Sequence, residues 1–176
     1  MHPAYADAQF NRNFFLHTVD LVARELPVFM KEIGATGVAV RGKSGMSIAF
    51  ATLVLIDFPL IVSRDPNVQC HGDPVEYPDG FKGPKYIFLD DFISSGETLE
   101  SVEFQLRRHH NFELVGIMEY SKDYSSDKRT HPHTDLKIPT MQLGAGSEYR
   151  RDRIKKGMAP IPKISVNGYS TNLGST

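Results

Sequence analysis

The run Lys85 to Leu99, KYIFLDDFISSGETL, constrains this chain more than any other stretch. Tyr86, Ile87, Phe88 and Leu89 form an apolar block with no alternation. Such a block reads as a strand buried on both faces, as in a parallel sheet. Two acids, Asp90 and Asp91, follow at its carboxyl end, where open α/β sheets bind ligands. After Phe92 and Ile93, the segment Ser94, Ser95, Gly96, Glu97 and Thr98 is a polar loop opening a helix. Its backbone N–H groups and hydroxyls can converge on an anion, and the helix dipole favours negative charge there. One stretch thus offers acceptors for hydroxyl groups beside donors for a phosphate, which suits a sugar phosphate.

The 176 residues suffice for one domain with a sizeable core. Formal net charge is −1, so no global basic field collects nucleic acid, and a polyanionic ligand must be held by local groups. A nucleic-acid partner is therefore not expected. The single cysteine, Cys70, excludes an intramolecular disulfide and fits a reducing compartment. No basic and apolar leader is visible at the N-terminus. The longest apolar run, near Ile48 to Ile56, is interrupted by Thr52 and is too short for a membrane span. The expectation is a soluble cytoplasmic protein with no membrane partner.

Flanking elements alternate. Phe15, Val19, Val22, Leu26, Phe29 and Ile33 recur at three- and four-residue spacing, the stripe of a core-packing helix. Pro27 predicts a kink or a division into two helices, and Gly34 a stop. Thr36 to Val40 reads as a buried strand running into Arg41-Gly42-Lys43-Ser44-Gly45, with a helix from Ser44 to Ile56. Strand, basic glycine-bearing loop and helix make a second anion-site geometry, although the spacing is not that of a P-loop. A plain turn with a solvated Arg and Lys fits those residues equally well. Leu60 to Ser63 is a third strand, ending at Arg64. Asp65 to Pro84 shows no periodicity, and loops of that length are commonly lids or disordered. Cys70 and His71 within it lack metal-ligand spacing and read as incidental. Glu97 to His110 is an amphipathic helix, Glu113 to Tyr120 a fourth strand, and Ile138 to Leu143 a shorter one. Thr130-His131-Pro132-His133 lacks further ligands for zinc. Ser147 to Lys156 reads as an exposed helix, and Gly157 to Thr176 as a Pro- and Gly-rich tail. Repeated helix and strand without internal duplication is the α/β signature.

LDDFISSGETL resembles the 5-phosphoribosyl-1-diphosphate (PRPP) binding motif of the type I phosphoribosyltransferases: apolar residues, two acids, two apolar residues, and a small-polar loop ending in Thr. VAVRGKSG lies where those enzymes carry a diphosphate loop, and PLIVSR where a strand ends in a basic residue. The likeness runs in consistent order from Gly37 to Tyr120.

The resemblance implies an α/β fold with a parallel sheet flanked by helices, and a small hood built from the terminal segments. It implies one domain over residues 1–176, with the core at about 10–145 and hood and tail from the N-terminal lead-in and 121–176. The activity implied is transfer of the phosphoribosyl group from PRPP to a nucleobase, with Mg²⁺ carried mainly by the substrate. A homodimer is the expected assembly.

By position, Asp90 and Asp91 would accept from the ribose hydroxyls, as the catalytic acids, and are the two protein groups that could reach Mg²⁺. Ser94, Ser95, Gly96, Glu97 and Thr98 would wrap the 5-phosphate. Arg41, Gly42, Lys43, Ser44 and Arg64 would meet the diphosphate, with a strained cis peptide to be looked for in that loop. Residues Asp65 to Pro84 would form a flexible lid. Lys122 would either reach a base carbonyl or stay solvated.

Departures bear on the base. Ser94 stands where many 6-oxopurine enzymes have Asp, and a serine is no efficient base. Glu76-Tyr77 resembles a pair in the lid of adenine enzymes, although the lid here is shorter. Between Arg64 and Lys82 the only basic residue is His71, which disfavours the orotate type. The reading is a PRPP-dependent transferase with a purine acceptor. A PRPP- or nucleotide-sensing regulator and a sugar-phosphate hydrolase using Asp90 and Asp91 with metal are the alternatives.

Overall fold

The computed structural model describes residues 12–65, 73–93, 95–120 and 138–143. In chain order these form α1 (Arg12–Ile33), β1 (Gly37–Val40), α2 (Gly42–Leu53), β2 (Leu60–Ser63), β3 (Val75–Glu76), β4 (Lys85–Asp90), α3 (Glu97–His110), β5 (Glu113–Glu119) and β6 (Thr140–Gln142). The strands make one sheet in the order β3-β2-β1-β4-β5-β6. All neighbours are parallel except the short edge strand β3, which pairs antiparallel with β2.

Both faces of the sheet are covered, as the unbroken apolar runs require. Alternate residues point to opposite faces. Val38, Val40, Leu60, Val62, Ile87 and Leu89 pack with Val22, Leu26 and Phe29 of α1 and with Ile48 and Ala49 of α2. Ala39, Ile61, Tyr86 and Phe88 pack with Leu99, Val102 and Leu106 of α3. The sheet is thus sandwiched between α1 and α2 on one side and α3 on the other.

Two expectations need correcting. The helix α1 is continuous through Pro27 and is not divided there. An interior proline costs about 3 kcal/mol. Pro27 lies on the exposed side, and the buried stripe of Val22, Leu26 and Phe29 continues beneath it, so packing outweighs the lost hydrogen bond. Gly34 does end the helix, with the Ala35 N–H returning to the Met30 carbonyl at 2.9 Å.

The second correction concerns the expected lid. Residues 73–84 are docked on the sheet: Val75 is buried in β3, and the Tyr77 and Phe81 rings meet Phe112 edge-on at 5.4 and 5.6 Å. Tyr77 also meets His110 at 5.4 Å. Such aromatic pairs add about 0.5–1.5 kcal/mol each beyond area burial. Residues 66–72, with Cys70 and His71, lie outside the described residues. So do Ser94, Lys122, the His131/His133 segment and, apart from 138–143, the hood and tail expected from the N-terminal lead-in and 121–176. No described helix is long and apolar enough to cross a membrane.

Candidate functional site at the switch between β1 and β4

The strand order reverses between β1 and β4. From β1 the chain crosses through α2 to β2 on one side; from β4 it crosses through α3 to β5 on the other. Ligands in open α/β sheets bind in the crevice at such a switch, outside the carboxyl ends of the strands. Here the N-termini of α2 and α3 both open onto that end. Neither cap residue, Arg41 nor Gly96, gives its helix a side-chain hydrogen bond, and at α3 the Ser95 hydroxyl accepts from the Glu97 N–H at a long 3.4 Å.

Asp90 ends β4, and Asp91 follows; both are buried. The Ser44 hydroxyl, in the first turn of α2, donates to Asp90 Oδ1 at 2.7 Å, and the Asp91 N–H donates to the same oxygen at 2.9 Å. Gly45 permits this approach: a Cβ there would lie 2.7 Å from the Leu89 carbonyl oxygen. Tyr120, directly after β5, completes the cluster. Its N–H donates to the Asp90 carbonyl at 3.2 Å, and its phenol lies close enough to Ser44, Asp90 and Asp91 to be influenced by them. Burial pushes the Asp90 carboxyl up to about 8; the Ser44 bond opposes that shift and the neighbouring Asp91 adds to it. Burial, then Asp91 and Asp90, likewise push the Tyr120 phenol up, so it stays neutral.

A cleft of about 240 Å³ opens here, with Ser44, Asp90, Asp91, Ser95, Gly96 and Thr98 as its polar lining. Gly96 sits just before α3 at φ 87°, a conformation that suits glycine, while Ser95, Glu97 and Thr98 are exposed around it. The approach to this loop is fixed from β5. Buried Glu119 accepts from the Ile93 N–H at 2.8 Å through Oε1 and from Gln142 Nε2 at 3.1 Å through Oε2. Neither Tyr120 nor Glu119 was singled out from sequence. Both end a strand that enters the crevice, and a lone carboxylate closing an apolar run is the signal that marks Glu119.

The basic residues divide. Lys43 is exposed in the first turn of α2, where the anion-site reading needs it. Arg41 does not present its guanidinium to the crevice. It is buried beneath α3, donating to Ser101 Oγ at 2.8 Å, to Ser63 Oγ at 2.7 Å, to the Ser63 carbonyl at 3.3 Å and to Gln105 Oε1. The period of two along β1 explains this: Arg41 shares the α3-facing side with Ala39. The side-chain part of its expected diphosphate role is therefore corrected. Arg64 stands at the end of β2 as expected, and its guanidinium pairs with Glu76 of β3 at the surface. The Ser44 hydroxyl is engaged by Asp90, so it holds the acid pair. The described peptide bonds include no cis bond, so the expected strained peptide is absent among them.

No group of three or more His, Cys, Asp or Glu able to cage a metal occurs among the described residues. The acid pair fits a different arrangement, in which Mg²⁺ takes one or two carboxylates and completes its shell with substrate oxygens and water.

No family model and no curated protein matches the chain. Solved structures do. Orotate phosphoribosyltransferase from Francisella tularensis superposes with a TM-score of 0.56 at 16% identity, over 85% of this chain and 75% of that one. The Aeropyrum pernix orotate phosphoribosyltransferase gives 0.53 at 14% identity, over 84% and 78%. A phosphoribosyltransferase from Corynebacterium diphtheriae gives 0.53 at 13%, over 78% and 77%. With the mostly parallel six-stranded sheet, the helices on both faces and the acid pair at the switch already in view, these likenesses establish that the chain has the fold of the type I phosphoribosyltransferases.

Proposed function

We propose that the chain transfers the 5-phosphoribosyl group from PRPP to a nitrogenous base and releases diphosphate. The observation that carries this is the placement of a buried acid pair between two helix N-termini at one switch point, tied across by Ser44 and Asp90. A ribose with phosphate at one end and diphosphate at the other matches that sequence of donors, acceptors and donors.

In this reading the α3 N-terminus, with Ser95, Gly96 and Thr98, takes the 5-phosphate. Asp90 and Asp91 accept from the ribose hydroxyls. The α2 N-terminus and Lys43 take the diphosphate, and Arg64 joins them by opening its exposed pair with Glu76, which is worth at most about 1 kcal/mol. A ring nitrogen of the base then forms a bond to the anomeric carbon as the bond from that carbon to diphosphate breaks. The electron pair leaves with diphosphate, and the nitrogen sheds its proton. Positive charge on the ribose ring in the transition state is stabilised by the acids beneath it. Mg²⁺ bound with the substrate would offset charge on the leaving group.

The purine expectation draws no support from the structural neighbours. Those whose names specify a base are orotate enzymes, so orotate is the first acceptor to test. The lysine-poor segment between Arg64 and Lys82 weighs the other way. The experiment is a panel: protein, PRPP, Mg²⁺ and each of orotate, uracil, adenine, hypoxanthine and guanine, with diphosphate release measured. Release with one base supports transfer and names the acceptor. Thermal stabilisation by PRPP with no release for any base would replace this reading with a PRPP-sensing regulator.

A further inference from the structure

Arg41 is a charged side chain only 8% exposed, at the carboxyl end of β1. Burying a guanidinium is unfavourable unless its donors are matched. Here they are matched by the planar fork that distinguishes Arg from Lys. One arm reaches Ser101 of α3 at 2.8 Å; the other reaches Ser63 Oγ at 2.7 Å and Gln105 of α3. Ser63 also donates to Gln105 Oε1 at 2.7 Å, so the buried cluster closes on itself. Ser101 and Gln105 lie four and eight residues beyond Glu97, on one side of α3 in its second and third turns. Arg41 itself is the cap residue of α2. The same residue therefore begins one anion-facing helix and is bonded to the second and third turns of the other.

We propose that Arg41 is a positioning residue that ties α2 to α3 and fixes the separation of the two anion-binding helix ends, so that one ligand bearing an anionic group at each end is gripped by both at once. The proposal rests on the PRPP reading above. It differs from a direct contact between Arg41 and diphosphate, and it has a distinct signature. A tie adds nothing to either anion alone. It adds to the ligand that spans both, because the second end binds at the effective concentration set by the spacing.

The test compares three ligands, PRPP, ribose 5-phosphate and inorganic diphosphate, by titration calorimetry in Mg²⁺ buffer. The proteins are wild type, Arg41→Lys, Gln105→Ala and Gln105→Glu, each with a thermal unfolding curve. Lysine keeps the charge but cannot reach Ser63, Ser101 and Gln105 together. Gln105→Ala removes an acceptor from the fork at a position remote from the crevice. Gln105→Glu keeps the acceptor and serves as the rescue.

Expected are losses of about tenfold or more in PRPP affinity for Arg41→Lys and Gln105→Ala, with ribose 5-phosphate and diphosphate each within about twofold of wild type. Gln105→Glu should bind PRPP as wild type does. Normal PRPP binding by Gln105→Ala, with Arg41→Lys weakened toward diphosphate alone, would overturn the tie in favour of direct contact. Equal losses for all three ligands would overturn it in favour of a general loss of structure. Wild-type protein that binds neither PRPP nor ribose 5-phosphate would instead overturn the functional reading, and the tie with it.

Discussion

Gly45→Ala should destabilise this protein, although a glycine-to-alanine change inside a helix ordinarily stabilises by about 1 kcal/mol. The added Cβ would lie 2.7 Å from the Leu89 carbonyl oxygen and 3.4 Å from Val40 Cβ. The first of these is a fixed backbone atom of the central strand. Ordinary contact begins near 3.4 Å, so the first turn of α2 must retreat by about 0.7 Å. That retreat stretches the 2.7 Å bond from Ser44 to Asp90 toward about 3.4 Å, where little of it survives. Overpacking of this kind costs about 1–3 kcal/mol. For a chain of this size each kcal/mol moves Tm by about 2–4 °C, so the midpoint should fall by about 2–12 °C. Thermal unfolding and denaturant titration read the stability, and PRPP calorimetry should show weaker binding. A variant that melts higher than wild type and binds PRPP equally well would refute the claim that close approach of α2 to β4 builds the site.

Two more outcomes follow from single groups. Asp90 is raised from 3.8 to about 8 in the folded protein, so the folded state holds a proton that the unfolded state releases at lower pH. Its stabilising contribution is complete below pH 4 and is lost as pH rises to about 8. Stability measured by denaturant titration should accordingly fall over that interval, and Asp90→Asn should flatten the slope; an unchanged slope would remove Asp90 as its source. PRPP affinity should run oppositely, rising with pH, because the ribose hydroxyls need an ionised acceptor. Glu119→Ala leaves the Ile93 N–H without its acceptor, a loss of about 1–3 kcal/mol, whereas Glu119→Gln keeps an oxygen in place. Ribose 5-phosphate affinity should fall in the alanine variant and largely survive in the glutamine one. Equal behaviour of the two would show that Glu119 does not order the phosphate loop.

The sheet was legible because its central strands are buried on both faces and so carry unbroken apolar runs: Tyr86 to Leu89 became β4, and Leu60 to Ser63 became β2. The crevice was legible because its acids and small polar residues are adjacent in sequence. Side-chain direction was harder. Arg41 reads as a loop cation until the alternation of β1 is followed one residue further, which turns it toward α3. Tyr120 and Glu119 join the site through contacts to residues at least 23 positions away along the chain, which no local pattern announces. Nor does a local pattern mark residues 73–84, since β3 has only two residues and its anchors, Tyr77, Phe81 and Phe112, meet through the fold. The division expected at Pro27 does not occur, because the packing beneath it outweighs intrinsic propensity.

The central claim is that Asp90 and Asp91, between two helix ends, form a PRPP site. Titration calorimetry of PRPP against wild-type protein and against the double variant Asp90→Asn/Asp91→Asn tests it most directly. The account predicts saturable binding by wild type, lost in a double variant that remains folded by its unfolding curve. Equal binding by both proteins, or no binding by wild type, would contradict it.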